Sequence, residues 1–324
     1  MTAEPQLPKV TPKVSVLVVS FNTRVMTLAC LGSIAAETGL DHEVIVLDNA
    51  SADGSAPAIA AEFPGVRLLA ERVNHGFARA NNIAAERATG EYLLLLNPDT
   101  LILERAIDKL LAFAAAQPQA KIWGGRTLYG DGSLNRTNCF QAMSLWNVFC
   151  RASGLASLSG NSRFFSETYG GRDMAGERAV DIVTGCFFLI PRRLWRDLKG
   201  FDPAYFMYGE EADLCLRARA GFGAAPMVTA DAVITHFGGA SEPVRADKVV
   251  RQYSAKITLI LHHFGAFQRP LGLFLFRSIP FTRAGMMAVV AGLSRKQSHL
   301  RALAEWREVW ERRAEWWNGF GKIG

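Results

Sequence analysis

Residues 14–22 read VSVLVVSFN. The run Val14–Val19 is short, β-branched and almost purely apolar, and it stops at the polar-rich Ser20-Phe21-Asn22. A strand wetted on one face would alternate apolar with polar residues. An unbroken apolar run suits a central parallel strand covered by helices on both faces. Working outward, the theme repeats. Arg24–Glu37 has helical spacing through Val25, Leu28, Leu31, Ile34 and Ala35. Val44–Leu47 reads as a second buried strand ending in Asp48-Asn49, followed by a helical stretch at Ser51–Phe63 and a third strand at Val66–Leu69. Phe77–Thr89 is an Ala-rich helix, and Tyr92–Leu96 (YLLLL) is a fourth strand ending in Asn97-Pro98-Asp99. Strand–helix alternation of this kind predicts an α/β domain with a mostly parallel sheet and helices on both faces.

Farther along, Ile107–Ala116 is helical and Lys121–Tyr129 strand-like. Residues 130–175 mix Gly, Ser, Asn and Arg with scattered aromatics and read as long loops with short helices, the usual place for substrate-specific surfaces. Val180–Ile190 reads as one strand with Gly185 in its middle, a mark of a bulge or a close backbone approach. Short helices follow at Arg192–Leu198 and Ala212–Ala220, and a longer one at Val249–Phe264. The expected organisation is a tail at 1–12, an α/β domain at 13–265 with halves at about 13–125 and 126–265, and a basic amphipathic helical appendage at 266–324.

Composition limits the function classes. The chain has 324 residues, 49% hydrophobic and 20% charged, which suits a sizeable core and excludes a disordered or fibrous protein. A net charge of +6 suits an anionic ligand or an acidic membrane surface and does not by itself argue for nucleic acid. The five cysteines (30, 139, 150, 186, 215) show no metal-ligand spacing and read as free thiols of a reducing cytosol. MTAEPQLPKVTPK lacks the apolar core of a signal peptide, and Leu271–Leu293 is interrupted by Arg277, Pro280 and Arg283. The expected location is the cytoplasm, at its periphery on the inner face of the membrane if the tail binds lipid.

In open parallel sheets ligands bind at the carboxyl ends of the strands. Here three such ends are polar, although Asn, Asp and Ser are also ordinary turn residues. The turn after the first strand, SFNTR, has no glycine, which disfavours dinucleotide and Walker-type sites. Asp99 suits a hard divalent cation, or a helix cap. Glu210, Glu211 and Asp213 place three carboxylates where a helix begins. Dipole complementarity explains one or two of them, and a general base in a partly dry cleft explains the set. His236 precedes two glycines in THFGGAS and reads either as structural or as a ligand.

SVLVVSFN, VLDNASADGS, NHGFARANN, GEYLLLLNPDT, GCFFLIPR and FDPAYFMYGEEADLCLR together resemble the inverting family 2 glycosyltransferases of GT-A fold, the rhamnosyltransferase-like branch above all. The resemblance covers about residues 13–265 and implies a catalytic domain there, with its donor half at about 13–125 and its acceptor half at about 126–265. It implies a nucleoside-diphosphate sugar donor, dTDP- or UDP-linked, and a glycan or lipid-linked acceptor. It also implies Mg2+ or Mn2+ as cofactor. By it, Ser20 and Asn22 line the nucleotide pocket, Asp48 meets the base, and Asn74, Gly76 and Asn81 shape the donor site. Asn97 and Asp99 match the family's Asp-x-Asp element, Glu211 its catalytic base, and His236 a histidine completing the metal shell. Gly185, Glu210 and Asp213 fall on the acceptor side. Two positions depart from the pattern: Asn97 replaces the first Asp, and Glu211 stands where Asp is usual. The QxxRW-type motif of processive synthases is absent, which implies transfer of one or a few sugars per encounter. Competing readings are a sugar-1-phosphate nucleotidyltransferase, disfavoured by SFNTR, and a non-catalytic sugar-nucleotide binding module.

In the tail, Arg295, Lys296, Arg301, Arg307, Arg312 and Arg313 interleave with Trp306, Trp310, Trp316 and Trp317. Trp306 and Trp310, one turn apart with Leu303, suit a lipid interface, whereas Glu305, Glu308 and Glu311 suit a helix packed on the protein or on a second copy.

Overall fold

The computed structural model describes residues 12–158, 162, 164–169, 175–238 and 245–321. The opening apolar run forms β1 (Val14–Ser20), buried at all seven positions. It pairs in parallel with β2 (His42–Asp48) on one side, and β3 (Arg67–Ala70) extends the sheet beyond β2. Crossovers are made by α1 (Arg24–Glu37), α2 (Ser55–Glu62) and α3 (Gly76–Glu86), and β4 (Tyr92–Leu96) pairs with the other edge of β1, again in parallel. Alternate residues feed two cores. Leu17, Val19, Ile45, Leu93 and Leu95 enter one, and Val16, Val18, Val46, Leu94 and Leu96 the other. Two covered faces are the physical reason these strands read as unbroken apolar runs.

The second half comprises β5 (Thr100–Ile102), α4 (Ala106–Ala116), β6 (Trp123–Leu128), β7 (Leu134–Asn135), β8 (Cys139–Phe140), α5 (Leu145–Ser153) and α6 (Leu155–Leu158). It continues with β9 (Arg178–Ala179), β10 (Ile182–Val183), β11 (Phe187–Pro191), α7 (Arg192–Asp197), α8 (Glu210–Phe222), β12 (Met227–His236) and α9 (Arg245–His263). The main sheet runs β3-β2-β1-β4-β11-β6-β12-β5. It is parallel from β3 to β4 and mixed beyond, with β11 antiparallel to both β4 and β6.

Two expectations need correction. Val180–Ile190 is not one strand: β10 joins β8 in a small second sheet, and β11 belongs to the main one. The break falls at Thr184–Cys186, where the Thr184 amide and hydroxyl both donate to the Asn138 carbonyl. Gly185 passes so close to Phe77 that an added Cβ would lie 3.2 Å from its ring. Residues 130–175 also hold β7 and β8, not loops and helices alone. Residues 1–11, Gly239 and Ser241 lie outside the described residues.

After α9 come α10 (Gln268–Ser294), α11 (Gln297–Glu311) and α12 (Arg313–Trp316). They share a third core with α9 and α5, built on Val148, Tyr253, Ile257, Ile260, Phe276, Ile279, Val309 and Trp316. This core crosses residue 265. Two indoles turn inward: Trp316 is fully buried and donates to the Val309 carbonyl, and Trp306 packs against the core, whereas Trp310 lies 5.5 Å from the exposed Phe281 ring and Trp317 is itself exposed.

Candidate active site

The ends of β1 and β4, and the residue after β2, open into a cleft of about 820 Å³. Its donor-side wall is a set of amides. Asn49 donates from Nδ2 to Asn74 Oδ1 (2.9 Å) and the Gly76 carbonyl (3.3 Å), and its Oδ1 accepts from the His75 amide (2.8 Å). These bonds fasten the end of β2 to the start of α3. Gly76 has φ +74, and an added Cβ would lie 2.4 Å from the Phe206 carbonyl, which also accepts from the Phe77 amide. Any side chain here would push apart α3 and the loop that leads into α8.

Asp48 is 3% exposed. Its Oδ2 accepts from the Ser51 amide, but Oδ1 is buried without a partner. An unsatisfied buried acceptor costs about 1–3 kcal/mol, and a ligand N–H would remove that cost.

On the far side of β4, sheet topology assembles a second group. β12 runs antiparallel to β5 with His236 opposite Thr100, so the imidazole arrives beside the Asn97-Pro98-Asp99 turn. His236 Nε2 lies 3.3 Å from Asp99 Oδ1 and 3.3 Å from Asn97 Nδ2. Burial acts to lower the His236 pKa, but hydrogen bonds to Asp99 and Cys186 outweigh it and raise the pKa to about 10. With Nε2 deprotonated, His236 and the Asp99 carboxylate would be a fitting donor pair for a divalent cation. Among the described residues no group of three or more His, Cys, Asp or Glu side chains could hold a metal. Any cation would therefore need ligands from phosphate and water as well, as Mg2+ commonly does.

Across the cleft, Tyr208 (φ +71) and Gly209 (φ +85) are consecutive left-handed residues that turn the chain sharply into α8. Glu210 is 3% exposed, and Glu211 is half-buried on the cleft wall. The Oε2 atom of each is buried without a partner. Burial pushes both carboxyls above the usual range. The neighbouring Glu211 charge raises Glu210 further, and Lys256 tempers Glu211. A carboxylate whose neutral form is favoured in this way suits the role of proton acceptor.

The structure brings Asn74, Gly76, Asn97, Asp99, Gly185, Glu210, Glu211 and His236 to one cleft. It does not bring Ser20, Asn22, Asp48, Asn81 or Asp213 to its walls. Ser20 is buried against Thr27 and Thr23. Asn22 ties β1 to the Ser51–Ala52 turn, and Asn81 caps the Phe77 carbonyl. Asp213 faces away, gripped by His263 (2.8 Å) and Arg217 (2.7 Å). Asp213 lies about 200° around α8 from Glu211, so those two carboxylates cannot share one face. Lys248 and Arg251, on the polar face of α9, line the cleft and were not anticipated. Their phase, opposite Val250, Tyr253 and Ile257, was the available signal.

Comparison with known proteins matches this arrangement. Residues 15–194 match glycosyl transferase family 2. An N-acetylglucosaminyl-diphospho-decaprenol L-rhamnosyltransferase of Mycobacterium tuberculosis (strain ATCC 25618 / H37Rv) is 29% identical over 195 residues, 57% of this chain and 63% of that protein. The O-antigen biosynthesis protein RfbC of Myxococcus xanthus is 26% identical over 249 residues, 74% of this chain and 18% of that protein. The chain thus spans less than two thirds of the length of either relative. Among solved structures, the mannosyltransferase PcManGT from Pyrobaculum calidifontis, in complex with GDP-Man and Mn2+, shares the fold with a TM-score of 0.56 and 18% identity. The match covers 93% of this chain and 86% of that one. With the family match spanning more than half of its residues, the chain belongs to glycosyl transferase family 2.

Proposed function

We propose that the protein transfers a single sugar, with inversion, from a dTDP- or UDP-linked donor to a hydroxyl of a cell-surface glycan or its lipid-linked precursor. The observation that carries this reading is the pairing, across one cleft, of Asp99 and His236 with the half-buried Glu211, whose carboxyl burial pushes above its usual range. The rhamnosyltransferase name of the mycobacterial relative supports rhamnose as the sugar and a lipid diphosphate as the carrier.

In this reading Asp48 Oδ1 accepts the N–H of the pyrimidine base, and the Asn49–Asn74–Gly76 amides shape the donor pocket. Asp99 and His236 would hold Mg2+ or Mn2+, which would supply positive charge to offset that of the departing diphosphate. Glu211 takes the proton of the acceptor hydroxyl as that oxygen bonds to the anomeric carbon. The bond to the diphosphate oxygen breaks on the opposite face, so a single displacement inverts the centre. Burial beside it favours the neutral form of Glu210, which limits repulsion. A lipid-linked acceptor sets the reaction at the inner membrane surface, and five buried free cysteines are compatible with a reducing cytoplasm.

The nucleotidyltransferase reading needs a Gly-rich basic loop after β1, and Phe21-Asn22-Thr23 is not one. A binding module would have no use for a carboxylate tuned as Glu211 is. The test is release of nucleoside diphosphate from dTDP- and UDP-sugars, with Mg2+ or Mn2+ and with EDTA. No release from any donor, under conditions where the nucleotide binds, would refute the enzyme reading.

A further inference from the structure

The long helix α10 buries one side and leaves the other bare. Phe276, Ile279, Pro280 and Ala291 are buried. On the opposite side Phe274 is 69% exposed, Phe281 62%, Val289 63% and Leu293 83%. With Leu271 these residues recur in steps close to whole helical turns. They form one stripe along a 27-residue helix, ~40 Å at 1.5 Å per residue. Ser278, Thr282, Gly285 and Gly292 fill the stripe, which holds no charged residue. Arg277 and Arg283 stand about 100° and 140° from its centre, one on each flank. By length and composition α10 could cross a bilayer, with a mean hydropathy of 1.3 and 17% of its most apolar window buried. Its inner face is committed to the third core, so it lies along a surface instead.

Charge identifies that surface. Residues 266–324 carry ten Lys and Arg and four Glu, a net +6, equal to the net charge of the whole chain. The preceding 265 residues are therefore neutral overall, and α10 has no acidic residue at all. Beside the stripe runs a groove of about 530 Å³ between α10 and α11–α12, walled by Leu273, Phe274, Phe281, Trp310 and Trp317. Two arginines line it. Arg277 stacks on Trp317 and donates to its carbonyl, while Arg269 Nε is buried with no acceptor. An apolar groove edged by such a cation matches a lipid phosphate with the head of its acyl chain. A bare apolar stripe of this length is unusual on a monomeric soluble protein.

We propose that α10 lies flat in the interface of an anionic bilayer, its Leu271–Leu293 stripe at the acyl boundary and its groove around one lipid headgroup. The main lipid-facing element is thus α10, and α11 contributes Trp310 to the wall of the groove beside it. The inference deepens the lipid-linked-acceptor reading and rests on it for its purpose, although the docking itself can be measured without turnover.

The test is flotation of the full chain with phosphatidylcholine vesicles, with and without phosphatidylglycerol, at low and moderate salt. The wild type is expected to float with anionic vesicles and to lose binding as salt rises. The double variant Phe274→Glu/Val289→Glu should lose at least about tenfold in partitioning while keeping its thermal midpoint, because both residues are exposed. Val25→Glu, at an equally exposed site on α1, should float like the wild type. A wild type that stays in solution at low salt, or a double variant that floats as well as the wild type, overturns the proposal. So does a concentration-dependent dimer abolished by the double variant, which would assign the stripe to a second copy. Release of nucleoside diphosphate with a water-soluble acceptor should be unchanged in the double variant. Absent release with intact flotation would refute the transfer reaction and leave the docking standing.

Discussion

Under the proposed reaction, Glu211→Gln removes the proton acceptor and little else. Gln has nearly the same volume, and Oε2 of Glu211 is buried without a hydrogen bond, so the amide forfeits none at that atom. Loss of a general base typically costs ~10²–10⁴ in rate, or about 2.7–5.5 kcal/mol of barrier. Stability should move the other way. The folded-state pKa of Glu211 is raised by burial, so the neutral form is the one the fold favours. That contribution is fully present below the ordinary carboxylate pKa of about 4.3 and is lost as pH rises through the raised folded value. The wild type should therefore gain activity and lose stability over the same pH window. The Gln variant should be at least as stable at pH 8, with a shallower fall of thermal midpoint with pH; Glu210 supplies the remainder. The assay is nucleoside diphosphate release at saturating donor and acceptor from pH 5 to 9, with calorimetric nucleotide binding and thermal midpoints measured in parallel. A Gln variant that keeps turnover within about tenfold while binding normally refutes the assignment. If Glu210→Gln instead abolishes turnover, the base is Glu210.

Asp99→Ala should weaken metal-dependent binding of nucleoside diphosphate by at least about tenfold, by analogy with the loss of lesser metal-site groups. Equal calorimetric affinity in wild type and variant, with and without EDTA, would remove Asp99 from that role. Gly76→Ala should lower the thermal midpoint and nucleotide affinity together, because the added Cβ meets the Phe206 carbonyl at 2.4 Å and the residue sits at φ +74. An unchanged midpoint would show that the two segments are not clamped there. Asp213→Asn should destabilise by about 3–5 kcal/mol in chemical denaturation, because it leaves Arg217 and His263 facing no charge. Burial alone would raise the Asp213 pKa, but His263 and Arg217 outweigh it and hold the carboxyl below its usual range. Its stabilising contribution is thus present above the ordinary Asp pKa and lost as pH falls through the depressed folded value. A variant with the same acid-denaturation profile as the wild type would contradict this.

Local pattern was enough for the first half of the fold. Each of β1, β2 and β4 is a contiguous apolar run because its neighbours cover both faces, and that cover is written in the residues themselves. The polar residues at those strand ends, and the carboxylates opening α8, were legible for the same reason: they interrupt or cap a local period. What the period cannot carry is partner choice across the sheet. Val180–Ile190 reads as one strand, yet its two halves pair with β8 and β4, because a strand may change sheets wherever a small residue lets the chain turn. His236 is an isolated residue in sequence and reaches Asp99 only through the β12–β5 register. Asp213 carries the same local signal as Glu211, and the helix turn alone sends it to Arg217 and His263. In the tail, composition announced cations, aromatics and amphipathic helices, but which side of each helix is covered depends on contacts with α9 and α5 from earlier in the chain. Sequence determined the elements and the chemistry available at their ends. Tertiary structure decided which of those groups meet, because pairing and burial are set by residues distant in the chain.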